Sequence, residues 1–206
     1  MTPFTTLTAL ACPLPLSNVD TDQLIPARFM KRSRAEGYGD HLLHDLRFDA
    51  DGQPRGGFPL NDPARQGARI LVARRNFGSG SSREAAVYAL ADYGIACVIA
   101  PSFGDIFASN SVNNGLLPAR VTEADGEALI AALDRGLREI TVDLEAQAIR
   151  AGDLALAFAI DPVWRTKLLN GWDDLDLTLS HAEAIQAFAA RDANERPWAA
   201  PARDVS

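Results

Sequence analysis

The sequence predicts an α/β fold in a single domain spanning residues 1–206. Two short, almost wholly apolar runs, 68–73 and 95–100, are typical of parallel strands that are buried on both faces of a sheet. Between them, residues 83–93 carry apolar side chains at helical spacing, and Gly94 follows as a natural helix stop. The chain is long enough for one ordinary domain, and neither an internal repeat nor a linker divides it.

The segments before this strand–helix–strand unit have different patterns. Residues 5–16 alternate between apolar and polar side chains and predict a strand that ends in a proline-containing turn. Residues 18–28 contain Asn and Asp, which suit a turn or a helix cap, and Pro26 ends any regular element there. Residues 31–66 are rich in Gly and Pro and weakly patterned. We expect a functional insertion there, because long loops in compact domains usually carry function.

The segments after the unit predict further alternation of strands and helices. Pro162 suits a first helical position, and Ser180 with Glu183 forms a capping-box pattern for a last helix. Residues 192–206 are rich in Ala, Pro and charge and predict a flexible tail. The predicted strands are 116–121, 139–144, 147–150 and 153–160, and the predicted helices are 103–110, 123–133, 162–169 and 180–191.

The charge and hydrophobicity of the chain indicate which kinds of binding partner to expect. The formal net charge is −7, from 20 basic and 27 acidic residues, which argues against a nucleic-acid partner. Basic residues group mildly in 28–34 and 69–83, where we expect a solvated surface, with Arg83 as the exception because of its place in a loop. The chain shows no signal-peptide pattern and no apolar run of membrane-spanning length, so we expect a cytoplasmic protein without a membrane partner.

The two cysteines, Cys12 and Cys97, stand far apart in the sequence. Isolated cysteines do not make a zinc or iron–sulfur site, so we expect no metal and no cofactor to be bound by this chain. Cys97 lies inside an apolar run, where it is expected to be a small buried hydrophobic residue.

Residues 74–84, with the sequence RRNFGSGSSRE, are the most informative stretch of the chain. They join a predicted strand to a predicted helix, and such a junction presents free backbone N–H groups and a positive dipole end to an anion. The loop does not match the nucleotide P-loop, the dinucleotide fingerprint or the nucleophile elbow. A serine hydrolase would also need a histidine partner, and the three histidines lie far away in sequence.

This loop can nevertheless support proton transfer. An alkoxide on Ser81 would be stabilised by backbone N–H groups and by Arg83, and it would act as a base rather than as an acylation nucleophile. The planar guanidinium of Arg83 fits a carboxylate with two hydrogen bonds. The residues alone are equally consistent with Ser81 and Ser82 capping the helix while Arg83 lies on the surface.

Three segments together resemble the small subunit of 3-isopropylmalate dehydratase, in the aconitase superfamily. They are residues 18–29, 76–84 and 101–118, and their order, spacing and context fit over about residues 5–191. The run GSGSSRE at 78–84 is the most specific of these motifs. The resemblance implies the swivelling β/β/α domain of the aconitase type.

The resemblance also implies roles for individual residues. Ser81 matches the serine that is the catalytic base, and residues 31–66 occupy the place of the loop that sets substrate choice. The implied reaction dehydrates 2-isopropylmalate to 2-isopropylmaleate and rehydrates it at the neighbouring carbon, in leucine biosynthesis. The substrate-binding residues implied for this chain are Arg83, Ser82, Gly80, Asp20, Thr21 and Asp22.

The family's activity requires a separate large subunit, which is the implied partner. That subunit holds a [4Fe-4S] cluster through three cysteines, and the cluster's iron acts as a Lewis acid on the leaving hydroxyl. This chain departs from the family pattern at Ala85, where histidine is usual, at Ala108, where tyrosine is usual, and at Gly104, where alanine is usual. These departures leave open a related hydro-lyase for another 2-hydroxy diacid, such as a methylmalate, or a non-catalytic assembly paralogue.

Overall fold

The computed structural model describes residues 1–31 and 33–199. Seven strands form one mixed sheet in the order β4-β3-β2-β1-β5-β6-β7. Strands β1 to β4 are parallel neighbours, and β5, β6 and β7 extend the other edge as an antiparallel meander. This confirms the α/β fold and the predicted parallel pair. The strands are β1 Thr6–Leu14, β2 Ile70–Ala73, β3 Cys97–Ala100, β4 Leu117–Arg120, β5 Glu139–Asp143, β6 Ala148–Ala151 and β7 Leu154–Ala157.

Helices cover both faces of the sheet. In β2, Leu71 packs into one apolar cluster and Ile70 into the other, because successive side chains of a strand point to opposite faces. Both are fully buried, as a strand in the middle of a covered parallel sheet requires. The helices are α1 Thr21–Leu24, α2 His44–Arg47, α3 Glu84–Tyr93, α4 Asp105–Asn113, α5 Glu123–Asp134, α6 Pro162–Asn170, α7 Asp174–Leu179 and α8 Ala182–Glu195.

The end of α3 and the start of α6 follow the predicted signals. Helix α3 ends before Gly94, whose φ of 104° is left-handed, and α6 ends before Gly171, whose φ is 69°. Pro162 opens α6, and the carboxylate of Asp161 accepts a hydrogen bond from the amide of Val163 at 2.8 Å. None of the described helices has the length and apolar content needed to cross a membrane.

The predicted start of the last helix at Ser180 was wrong. An additional helix, α7, precedes that position, and Ser180 continues in right-handed helical conformation. Its hydroxyl therefore donates back to the carbonyl of Leu177 at 2.6 Å instead of capping α8. Of the predicted flexible tail, 192–195 belong to α8 and 197–199 form a 3₁₀ turn, whereas 200–206 lie outside the described residues.

A buried lysine anchors the start of the C-terminal segment. Lys167 on α6 is only 3% exposed, and its ammonium donates to Asn113 on α4 and to Asp174 on α7, the latter at 2.6 Å. A buried charge must be paired to be tolerated. The first turn of α7 is thereby held against the body of the domain.

The insertion at 31–66 folds onto the domain through short helical turns. Leu42, Leu43 and Leu60 are buried in the apolar cluster on the α3 face. Near its end, the guanidinium of Arg65 donates to three backbone carbonyls, those of Ala11, Leu133 and Leu137, at 2.7–3.0 Å. The end of the insertion is therefore fixed to β1 and to the residues at and after the end of α5. Within the predicted basic group, Arg32 lies outside the described residues.

Candidate active site

The Gly-Ser loop lies at the carboxyl end of β2, between the segments that follow β1 and β3. The amide of Gly78 donates to the carbonyl of Val19 at 2.7 Å, and the amide of Thr21 donates to the carbonyl of Ser79 at 2.9 Å. The carboxyl ends of parallel strands are where open α/β sheets bind ligands. The β1 and β2 connections are thus joined backbone to backbone at the edge of the sheet where a site is expected.

The β3 connection closes the loop from the other side. The amide of Gly104 donates to the carbonyl of Phe77 at 2.9 Å, and the amide of Asn76 donates to the hydroxyl of Ser102 at 2.8 Å. A Cβ at position 104 would lie 2.5 Å from the carbonyl oxygen of Gly78. The glycine found there in place of the family's usual alanine is therefore matched to this close approach of the two backbones.

Gly78 is the tightest point of the loop, and we expect Gly78→Ala to destabilise the fold by about 2–5 kcal/mol. Its φ is +71°, and a Cβ would lie 2.1 Å from Cγ of the buried Phe107 ring. Urea unfolding measures the loss. Gly52→Ala is the matched control, because its φ is +75° but nothing lies within 4 Å of a Cβ there. It isolates the backbone strain, and an equal loss in both variants would refute a ring clash at position 78.

Ser81 borders open space. Its residue is exposed, and its carbonyl accepts a hydrogen bond from the hydroxyl of Thr21 at 2.9 Å, while the two hydroxyl oxygens lie 3.4 Å apart. Thr21 itself is only 1% exposed. The buried Thr21 hydroxyl thus fixes the Ser81 carbonyl from the protein interior, while the Ser81 residue stays at the surface. Ser81 lines a groove of about 190 Å³ together with Gly78, Ser79, Gly80, Gly104, Asp105, Ile106 and Phe107.

Neither serine caps the helix. Helix α3 begins at Glu84, its N-cap is Arg83, and no side-chain capping bond is made there. Ser82 is exposed, and the carbonyl of Ser81 accepts the amide of Arg83 at 2.8 Å within the loop. The alternative in which the two serines merely cap the helix is therefore not observed. Because the first amides of a helix lack partners within it, donors for an anion lie next to Ser81.

Arg83 is held in place by an acidic residue from helix α1. One terminal nitrogen of its guanidinium donates to the carboxylate of Asp22, and the Arg83 side chain is 29% exposed. The other guanidinium nitrogens have no acceptor in the part of the chain that the structure describes. The ion pair orients the guanidinium and leaves its other N–H groups free to bind a second carboxylate.

The remaining predicted site residues surround the same loop. The carboxylate of Asp20 caps α1 by accepting the amide of Gln23 at 2.7 Å, and the backbone of Asp20 bridges to Ser79. Gly80 has a φ of +95°, and a Cβ there would lie 3.5 Å from both Asp20 and Thr21. The structure thus brings all seven predicted residues together.

Six residues that line the groove were not predicted as site residues: Gly78, Ser79, Gly104, Asp105, Ile106 and Phe107. Asp105 and Ile106 border the groove from the first turn of α4, and both are exposed. Two sequence signals point to them. Residues 101–118 are one of the three segments of the resemblance, and α4 follows β3, whose carboxyl end lies at the same edge of the sheet as that of its parallel neighbour β2. Ala85, where the family usually has histidine, packs its small side chain against the apolar cluster under α3.

The cysteines do not fit a metal cluster. Cys12 and Cys97 are buried in separate apolar clusters, and burial raises the pKa of the Cys12 thiol to about 12 and also raises the pKa of Cys97. A thiol ligates a metal as its thiolate, which burial disfavours. Across residues 1–31 and 33–199, no group of three or more His, Cys, Asp or Glu is placed to hold a metal ion.

The sheet order and the loop at the end of β2 define the class of protein. The chain has the C-terminal, swivelling domain of the aconitases: the family model described as the aconitase C-terminal domain matches residues 1–124. A second model, described as the C-terminal domain of the 3-isopropylmalate dehydratase small subunit, matches residues 174–202.

Relatives narrow the class to one family. The chain is 51% identical to the 3-isopropylmalate dehydratase small subunit of Rhodospirillum centenum, over 97% of this chain and 99% of that one. It is 48% identical to the small subunit of Jannaschia sp., over 96% and 100%. A crystal structure of 3-isopropylmalate dehydratase from Methanocaldococcus jannaschii superposes with a TM-score of 0.61 at 25% identity, covering 89% of this chain and 99% of that one. The chain belongs to the 3-isopropylmalate dehydratase small-subunit family, as the sequence predicted.

Proposed function

We propose that this chain is the small subunit of a cytoplasmic 3-isopropylmalate dehydratase that serves leucine biosynthesis. With a large subunit it would convert 2-isopropylmalate to 3-isopropylmalate through 2-isopropylmaleate. The observation that carries the proposal is an exposed Ser81, two residues before an Arg83 that Asp22 orients, in a chain whose relatives are named 3-isopropylmalate dehydratase small subunits. Such a pair suits the removal of a proton from a carbon next to a carboxylate.

Each residue of the loop has a distinct part in this proposal. Ser81 accepts the proton from carbon during dehydration and returns it during rehydration, while Arg83 binds a substrate carboxylate through its free nitrogens. Asp22 orients the guanidinium, and the buried Thr21 is a positioning residue for the Ser81 backbone. Gly80 and Ser82, with their backbone near the start of α3, border the bound carboxylate.

The metal chemistry is assigned to the partner. Because neither cysteine of this chain fits a cluster ligand, we place the [4Fe-4S] cluster on the large subunit. This chain would supply the base and the carboxylate-binding arginine, and the active site would form only when the two subunits meet over the Ser81 groove. We propose no nucleic-acid and no membrane partner.

The insertion at 31–66 is proposed to choose among 2-hydroxy diacids. It packs against the same face of the sheet as α3, and its first part follows α1 closely in the chain. Ala85 and Ala108 stand where the family usually has histidine and tyrosine. These departures support a second candidate function, that of a hydro-lyase for a related diacid such as a methylmalate. A non-catalytic assembly paralogue is the other alternative.

Reconstitution tests the proposed function. The purified chain is mixed with a cluster-loaded large subunit of the same family, and 2-isopropylmalate turnover is followed by absorbance of the unsaturated intermediate. We expect activity from the mixture and none from either subunit alone. Faster turnover of 2-methylmalate would favour the related hydro-lyase, and a stable complex without turnover of either diacid would favour the assembly paralogue.

A further inference from the structure

A second, larger cleft lies beside the Ser81 groove. Its volume is about 580 Å³, within the range of small-molecule sites. It opens between the β3–α4 connection and the chain that enters α6, and Asp105 borders both the cleft and the groove. The residues that line it are Ser102, Phe103, Asp105, Ala108, Pro118, Arg120, Ala159, Ile160, Asp161, Pro162 and Trp164.

The charged side chains of the cleft come from elements that the backbone holds together. Arg120 and Ala159 exchange two backbone hydrogen bonds, at 2.7 and 3.1 Å. This bridge brings Arg120, the last residue of β4, close to the segment that leads to Asp161, the N-cap of α6, and both residues line the cleft. Asp105 faces the same cleft from the start of α4.

The charged side chains of the cleft keep hydrogen-bonding capacity that no described residue uses. Within residues 1–31 and 33–199, the side chains of Arg120 and Asp105 have neither a hydrogen bond nor an ion pair. Asp161 uses one carboxylate oxygen to cap α6, bonding the amides of Val163 and Trp164, and its other oxygen has no partner among the described residues. The cleft therefore offers one open cation and two open anions.

The rest of the lining is mainly apolar. Phe103, Ile160 and Trp164 are partly buried, each packed against one of the two core clusters and each bordering the cleft. Ala108 is too small to fill the space above them, which leaves room for a branched or aromatic side chain. A ligand with an apolar side chain, one positively charged group and one negatively charged group would match this surface.

We propose that the cleft binds an apolar α-amino acid. The ligand carboxylate lies at Arg120, its ammonium group lies between the carboxylates of Asp105 and Asp161, and its side chain packs against Trp164. A diacid such as isopropylmalate fits poorly, because its second carboxylate would meet two aspartates of like charge. This ligand differs from the proposed substrate, and its binding does not depend on the proposed function.

Calorimetric titration of the full chain tests this site, with L-leucine as the probe. We expect saturable binding, and at least tenfold weaker binding of 4-methylpentanoate, which lacks the ammonium group, and of 3-methylbutylamine, which lacks the carboxylate. Arg120→Gln should weaken leucine binding at least tenfold. Arg135→Gln, an exposed arginine at the end of α5, should leave it unchanged.

Several results would overturn the site. They are the absence of saturable leucine binding, equal binding by the two arginine variants, and equal binding of the analogues. Displacement of leucine when the large subunit is added would show that the cleft is an interface between the subunits instead. Activity of the reconstituted enzyme is measured separately, so a failure here does not count against the proposed function.

Discussion

Ser81→Ala is expected to lower the turnover number of the reconstituted enzyme by about 10²- to 10⁴-fold, the usual contribution of a general base. The fold and the association of the two subunits should survive. The hydroxyl of Thr21 donates to the carbonyl oxygen of residue 81, which alanine retains. Ser81 is also exposed, so loss of its hydroxyl leaves no cavity in the core. Initial rates with 2-isopropylmalate, together with size-exclusion chromatography of the complex, measure both expectations.

Ser17→Ala is the matched control for that experiment. Ser17 is also exposed and lies on the connection after β1, and its hydroxyl makes no hydrogen bond within the described residues. Its removal should leave turnover unchanged. Near-normal turnover in Ser81→Ala, with the complex intact, would remove Ser81 from the role of base. Loss of the complex in that variant would instead assign Ser81 to the interface between the subunits.

Arg83→Lys is expected to lower kcat/KM by about 10- to 100-fold, because a charge-assisted hydrogen bond contributes roughly 1.5–3 kcal/mol. Lysine keeps a positive charge that can still pair with Asp22, so the local charge balance is preserved. Lysine lacks the planar guanidinium. In the parent protein, the guanidinium nitrogens that do not bond Asp22 are available to a substrate carboxylate. Michaelis–Menten kinetics of the reconstituted enzyme with 2-isopropylmalate give the ratio directly.

The same substitution at Arg75 controls for a general effect of charge. Arg75 belongs to the same loop, is exposed, and makes only a loose ion pair with Glu123 at 3.8 Å. Arg75→Lys should therefore leave kcat/KM within about twofold of the parent protein, as is usual for surface changes away from a site. If both variants behave alike, the planar fork of Arg83 has no part in binding the substrate.

Local patterns predicted the core of the fold because they are set by neighbours in sequence. The apolar runs at β2 and β3 and the helix between them were located to within one or two residues. Capping was less predictable. Ser180 and Glu183 match a capping box, yet the helical turn that precedes them continues through Ser180, and Asp173 begins α7 with a capping box of its own.

The sequence by itself determined the parallel strands, the strand–loop–helix junction and the residue types that suit proton transfer beside a carboxylate. Those properties follow from periodicity, glycine placement and side-chain chemistry along a continuous segment. Only the tertiary structure decided that Asp22 orients Arg83, that Thr21 fixes Ser81 from below, and that Asp105 and Ile106 border the groove. These contacts join residues from separate connections, and they form because the parallel order of β1, β2 and β3 brings three strand ends to one edge.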